Sequence, residues 1–259
     1  MTPSWALFKG FSKPRFLKMN VILAVELLAV VVMTVTRLVT GRFTTDAWFY
    51  MLSGWFFIPI AIGVVLLAVD QERAAVKPTF RMIPIADWQF YLVNILASLA
   101  VQLYVWLVQF ALLGLSFALA WKRIRIRASM VTDMLDLQWT ASINWWQVGL
   151  QAVVVAILAT LVIWSTITFI HYASNATNGW LPRFQQHFLN VILTIVIIYV
   201  AFRLAAILIG MVSFLSSQAL TGGSVTSVWT GAAVMLVTII VESALNVWLL
   251  QKWVEPHAV

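Results

Sequence analysis

The chain contains no cysteine and few charged residues. None of its 259 residues is Cys, and Asp, Glu, Lys and Arg together make up 10% of them, against roughly 25% in a typical soluble protein. The lack of cysteine excludes disulfide bonds, iron–sulfur clusters and thiolate-bound zinc. The shortage of charge, beside 63% hydrophobic residues and a mean hydropathy of +0.96, excludes an ordinary soluble domain.

The sequence also lacks the motifs of common enzyme classes. It has no G-x-x-x-x-G-K-S/T phosphate loop, so this chain does not bind ATP in the P-loop manner, and it has no H-E-x-x-H zinc motif. The three histidines, His171, His187 and His257, stand apart in the sequence. His171 and His187 bracket a polar connection, where a metal site is conceivable, but interfacial histidines without a metal are the better interpretation. We therefore expect no catalytic residue and no metal site.

Six apolar runs dominate what is present: residues 17–35, 47–69, 90–120, 145–170, 188–212 and 227–250. Most of them reach the ~20 residues that a helix needs to cross the hydrocarbon core. Because backbone polar groups in lipid must be bonded within their own segment, we predict an all-α, polytopic membrane protein with six transmembrane helices in a single transmembrane domain, residues 1–259. The net charge of +7 indicates basic residues that flank spans and attract anionic lipid, rather than binding of nucleic acid.

The distribution of Lys and Arg favours cytoplasmic N- and C-termini. Residues 1–18 mix basic and aromatic side chains, which suits a helix lying in the membrane interface or an ordinary basic tail. The basic cluster at 122–127 would lie on the outer side of the membrane in this orientation, which opposes the usual cytoplasmic location of Lys and Arg. The third run, 31 uncharged residues at 90–120, would be about 46 Å long as one helix, so it must tilt, break or project beyond the bilayer core. One helix is favoured over a hairpin because its middle has no proline or charge.

Charged side chains inside apolar runs are costly and are therefore candidates for function. Glu26, Arg203 and Glu242 lie within the first, fifth and sixth runs. Arg203 is predicted to pair with a carboxylate or to line a polar cavity with Gln102 and Gln109 of the third run. The structural alternative is a buried salt bridge that fixes helix register, or an arginine that reaches the interface.

The segment DQERAAVKPTFRMIPIADWQFYLVN, residues 70–94, interrupts the apolar runs with charge and two prolines. Residues 74–83 are predicted to form a short helix, with Pro78 tolerated near its start and Pro84 ending it. Its apolar stripe has the i, i+4, i+7 spacing of one helix face and consists of Val76, Phe80 and Ile83. Its basic flank consists of Arg73, Lys77 and Arg81. Such a helix can insert into a groove of a soluble partner; the alternative is a plain solvated loop.

This segment resembles the first cytoplasmic loop of ABC-2-type transporter permeases, the six-span membrane subunits of bacterial ABC exporters. In that family the loop commonly starts with a Glu-Arg pair, continues through a short amphipathic helix and a Pro-containing turn, and enters span 3 through aromatic or apolar residues. Here Glu72-Arg73 and residues 79–83, 84–87 and 90–94 stand in those places. The family's frequent Gly-Thr step and its Lys near span 3 are replaced by Pro78-Thr79 and Asn94.

The resemblance implies a function. The chain would be the membrane-spanning permease subunit of an ATP-driven ABC exporter in the bacterial cytoplasmic membrane, moving a peptide, a lipid-like molecule or a drug. It would hold no cofactor itself, because ATP and Mg are bound by cytoplasmic ABC ATPase subunits. Its other partners would be membrane lipid and a second permease copy or a homologous permease. The ATPase-coupling loop, residues 70–89, would act through Glu72, Arg73, Val76, Lys77, Phe80, Arg81, Ile83 and Pro84.

Two further functions remain open from the residues alone. An ion-coupled secondary transporter would use the intramembrane Glu26, Arg203 and Glu242, since ionisable groups within spans carry ions or protons in such proteins. A non-transporting membrane scaffold would need none of these residues. Co-purification of an ATPase would separate the first function from both alternatives.

Overall fold

The computed structural model describes residues 3–77, 85–134, 145–178 and 226–252, and this part of the chain is helical. Its helices are α1 Pro3–Val39, α2 Ala47–Trp55, α3 Phe57–Val76, α4 Asp87–Met134, α5 Trp145–Asn178 and α6 Thr226–Lys252. Among the described residues, five stretches are long and apolar enough to cross a membrane: Ser4–Val39, Ala47–Val76, Asp87–Ile126, Gly149–Ala173 and Val228–Lys252. The prediction of a helical, multi-pass membrane protein is confirmed, and the predicted span at 188–212 lies outside the described residues.

Glycine and proline explain where the helices of the N-terminal half end. Gly41 adopts φ 65°, and its N–H donates to the carbonyl of Leu38 while that of Arg42 donates to the carbonyl of Arg37. This is the Schellman arrangement, which favours glycine because its left-handed position has no Cβ to clash. Pro59 has no N–H for the carbonyl of Trp55, which accounts for the interruption between α2 and α3.

Helix α3 extends into the predicted coupling loop, residues 70–89. Helix α3 continues to Val76 and α4 begins at Asp87, so residues 74–76 form the last turn of a long helix rather than the start of a separate one. Ala74 and Ala75 are buried, which favours continuation of the helix through them. The helix ends where Lys77 precedes Pro78, because proline disfavours the helical conformation of the residue before it.

Helix α4 is one continuous helix of 48 residues, about 72 Å long. The hairpin alternative for residues 90–120 is therefore excluded. The basic residues at its far end, Lys122, Arg123 and Arg125, lie on the same helix as the apolar run, at the opposite end from Asp87. Residues 3–16 are likewise helical and continuous with the first span in α1, and Leu7 and Phe11 on this segment are buried.

The chain divides into two units, Met1–Gln71 with Gln89–Gln138, and Glu72–Trp88 with Trp139–Val259. In the first unit α1 and α4 run parallel, and α2 and α3 run antiparallel to both. The aromatic pairs Phe49–Phe117 and Phe56–Phe110, with ring centroids 5.6 and 5.2 Å apart, mark this antiparallel register. In the second unit α5 packs against α6.

Candidate functional site

Arg15 is the centre of a hydrogen-bond network at the end of the first unit where α1, α3 and α4 meet. Its side chain is 2% exposed. Its Nη1 donates to the Asn94 carbonyl at 2.9 Å, and its Nη2 donates to Asn94 Oδ1 at 2.5 Å and to the Asp70 carbonyl at 3.3 Å. Asn94 Nδ2 donates to the Gln71 carbonyl at 3.0 Å, and Lys18 Nζ lies 2.5 and 2.8 Å from the Asp70 carboxylate oxygens. We call these five residues the Arg15 node.

The Arg15 node connects α1 to the two helix ends on either side of the interspan loop. Asp70 and Gln71 lie near the end of α3, and Asn94 lies near the start of α4. Phe11 extends the contact, because its ring lies 5.2 Å from the Arg15 guanidinium carbon and 5.7 Å from the Phe90 ring. A buried guanidinium offers five donors in a fixed plane, so its carbonyl partners can move only together with it or by losing hydrogen bonds.

The structure describes half of the predicted coupling residues. Arg73 and Lys77 are exposed and Val76 is half-buried. Glu72 is half-buried in the second unit, where its Oε2 lies 3.7 Å from His171 Nδ1. The other four predicted residues fall outside the described part of the chain: Phe80, Arg81, Ile83 and Pro84.

Glu26 and Gln109 meet in the interior of the first unit. Gln109 Nε2 donates a short hydrogen bond to Glu26 Oε2, and both side chains are buried. Gln102 is fully buried on the same helix and donates from Nε2 to the Ile60 carbonyl at 3.3 Å. Helix α3 approaches α4 closely at Gly63, where an added Cβ would lie 2.7 Å from Gln102 Oε1. Arg203, the predicted partner of these groups, lies outside the described residues.

A polar stripe that the sequence analysis missed runs along the buried face of α4. Its members are all buried: Asn94, Ser98, Gln102, Gln109 and Ser116. Their spacing of four, four, seven and seven residues is that of one helix face, and the stripe is about 33 Å long. This period was present in the sequence and could have identified the stripe. Arg15 carried no such signal, because the sequence placed it in a basic terminal segment.

Glu242 has a different environment in the second unit. It accepts hydrogen bonds from Thr166 Oγ1 at 2.9 and 3.0 Å and a short one from Ser165 Oγ. Asn246, one turn further along α6, donates from Nδ2 to the Ser165 carbonyl at 2.9 Å. Sequence reasoning had no signal for Ser165 and Thr166, because hydroxyl residues are common in membrane helices and often bond their own backbone.

At the other end of the first unit Asp46, which is 1% exposed, lies 3.7 Å from Arg123 Nη1. The basic cluster of α4 is thus held against the start of α2. Within the residues described, no group of three or more His, Cys, Asp or Glu side chains is placed to hold a metal ion. The arrangement offers buried hydrogen-bonding groups inside apolar helices. No family model, no curated protein and no solved structure matches this chain.

Proposed function

We propose that this chain is the membrane-spanning permease subunit of an ATP-driven exporter in the bacterial cytoplasmic membrane. It would have six spans and cytoplasmic termini, and would work with a second permease and two ATPase subunits that bind ATP and Mg. The observation that carries the proposal is the Arg15 node, since it joins α1 to both helix ends that border the interspan loop. Residues 70–94 resemble the coupling loop of ABC-2-type permeases. We therefore propose that the Arg15 node transmits movement of this loop to the helices.

The node would turn movement of the loop into movement of three helices. An ATPase that closes on ATP would push residues 78–84, and the push would reach the ends of α3 and α4 directly through the chain. Because Arg15 bonds Asp70 and Asn94 at once, α1 would have to follow or leave a buried guanidinium without partners, which is costly. This movement would switch the cavity between the two permeases from inward to outward access.

The proposed cargo is amphipathic or hydrophobic. The described spans present many exposed apolar side chains, among them Leu28, Val31 and Leu107, and few charged ones. Such surfaces fit lipid and lipid-like molecules better than a polar solute, which needs convergent polar groups in a concave site. A peptide, a lipid-like molecule or a drug would meet this requirement.

Affinity purification from membranes of a cell that naturally expresses the chain tests the proposal. We expect the tagged chain to retain an ATP-hydrolysing protein, and Phe80→Asp to lose it while still reaching the membrane. Thr79→Asp is the matched control, because it adds the same charge next to, but not on, the predicted apolar stripe. A chain that purifies without any ATPase, or equal ATPase recovery with both variants, would overturn the proposal. Proton-driven transport by the lone chain in liposomes would instead support the ion-coupled carrier.

A further inference from the structure

Four buried polar atoms of α1 and α4 have no hydrogen-bond partner among the described residues. They are Ser98 Oγ, Gln102 Oε1, Trp106 Nε1 and Glu26 Oε1. The first three follow one another at four-residue spacing on α4, and Gln109, the partner of Glu26, comes three residues after Trp106. On a helix these positions share one face and cover about 16 Å. We call Glu26, Ser98, Gln102, Trp106 and Gln109 the polar row.

The polar row has the chemistry of a place that holds water. Buried polar groups in folded proteins are almost always bonded, and those that lack a protein partner are satisfied by buried water, which typically makes two to four hydrogen bonds. The row offers both kinds of partner in alternation. Ser98 can donate and accept, Gln102 Oε1 accepts, Trp106 Nε1 donates and Glu26 Oε1 accepts. Water molecules placed between them would satisfy all four.

Among the described residues of the first unit, no charged side chain lies at the level of Glu26. The segments of α2–α3 and α4 at its level, residues 53–59 and 105–113, contain no titratable side chain. The guanidinium of Arg15 lies three turns away on α1, about 16 Å along the helix axis, and is bonded to Asn94 and Asp70. A buried carboxylate with one amide donor leaves its second oxygen to be satisfied by another donor.

Gln109 can serve both protonation states of Glu26. Its amide nitrogen donates to the carboxylate, and after rotation of the amide its oxygen can accept from the carboxylic O–H. In the orientation that the structure shows, Gln109 presents an N–H donor to Glu26, whereas a metal cation would need an oxygen ligand at that place.

We propose that the polar row holds a chain of buried water and that Glu26 is a proton-binding site reached through it. A water of the row gives a proton to Glu26 Oε1 and receives one from the next water, so that an O–H bond forms on Glu26 and one proton is taken up from bulk solvent. No electrons are transferred. The site does not depend on the exporter function, because it uses only residues of the first unit and needs no ATPase.

Infrared spectroscopy of the full chain in lipid nanodiscs tests the proton site. We expect a carboxylic-acid carbonyl band that grows as the pH is lowered and shifts when H2O is replaced by D2O. Glu26→Gln should remove this band and Glu242→Gln should leave it in place. If Glu26→Gln does not fold, Gln109→Leu should shift the band, because it removes the hydrogen bond to Glu26. An acid band that is the same in wild type and in these Glu26 and Gln109 variants would overturn the assignment.

The rate at which the same band shifts in D2O tests whether protons reach Glu26 through water in the polar row. Gln102→Leu or Ser98→Ala removes a polar group of the row, so the shift in D2O should become several-fold slower. Gln151→Leu is the matched control, because Gln151 is an equally buried glutamine of the second unit with both amide atoms unpartnered among the described residues. Unchanged exchange in the row variants would show that protons do not reach Glu26 along the row.

Discussion

Glu26 and Glu242 are both carboxylates within apolar helices, yet their surroundings differ. Both oxygens of Glu242 receive hydroxyl donors, from Ser165 and Thr166. Glu26 receives one amide donor, from Gln109, and its Oε1 has no partner among the described residues. Glu242 therefore acts as a cross-link between two helices, whereas Glu26 leaves one carboxylate oxygen without a partner among the described residues. Unused capacity in a buried group is the better indicator of a site that binds something.

The largest loss of stability is expected on substitution of Arg15. This variant tests whether all buried polar groups of the first unit are weakly bonded, or Glu26 in particular. Arg15→Met should lower the free energy of unfolding by about 3 kcal/mol, because it leaves buried acceptors on Asn94 and Asp70 without a charged donor. The measurement is thermal unfolding in detergent. Arg37→Met, on an exposed position of the same helix, should leave the midpoint unchanged. Equal unfolding midpoints for both variants would mean that the Arg15 node adds no stability. The missing partner of Glu26 would then be one case of weak polar bonding throughout the first unit.

The role of Glu242 as a cross-link in the second unit is tested by removing one of its hydrogen-bond donors. Thr166→Val keeps the shape of the side chain but takes away its hydroxyl, so the free energy of unfolding should fall by about 2 kcal/mol. Thr238→Val is the control, since the Thr238 hydroxyl is exposed and bonds the carbonyl of Val234 in its own helix. Unfolding of each variant in a denaturing detergent series gives the comparison. If the two valine variants are equally stable, Glu242 is not a cross-link.

The smallest effect is expected at Gly63, where α3 approaches the polar row. Gly63→Ala should destabilise the chain by about 1 kcal/mol, because the new Cβ would lie 2.7 Å from Gln102 Oε1 and Gln102 would have to give up its bond to Ile60. Gly114→Ala meets no atom within 4 Å and should be neutral or slightly stabilising, as alanine favours a helix. Thermal unfolding measures both. A stabilised Gly63→Ala variant would show that the helices can separate at no cost.

Part of the candidate site could be predicted from the sequence. Glu26, Gln102 and Gln109 were identified because polar residues are conspicuous in apolar runs. Asn94 and Ser98 are not grouped into one stripe by the sequence analysis, although their spacing shows it. Arg15 is assigned there to an interfacial helix or an ordinary basic tail. The role of Arg203 stays a prediction, as does the coupling helix beyond Val76.

The helical and membrane-spanning character of the chain can be predicted from sequence alone, because the length and apolarity of each run decide it locally. The helix ends at Gly41 and before Pro78 depend on the backbone conformation of one or two residues. Residues 74–83 are nevertheless predicted from the sequence to form one helix, with Pro78 inside it. The pairing of polar groups, such as Arg15 with Asn94 and Glu26 with Gln109, is visible only once the helices are packed. These pairs lie about 80 residues apart, and whether they touch depends on the rotation and depth of each helix against its neighbours. Packing sets both, and no local pattern encodes them.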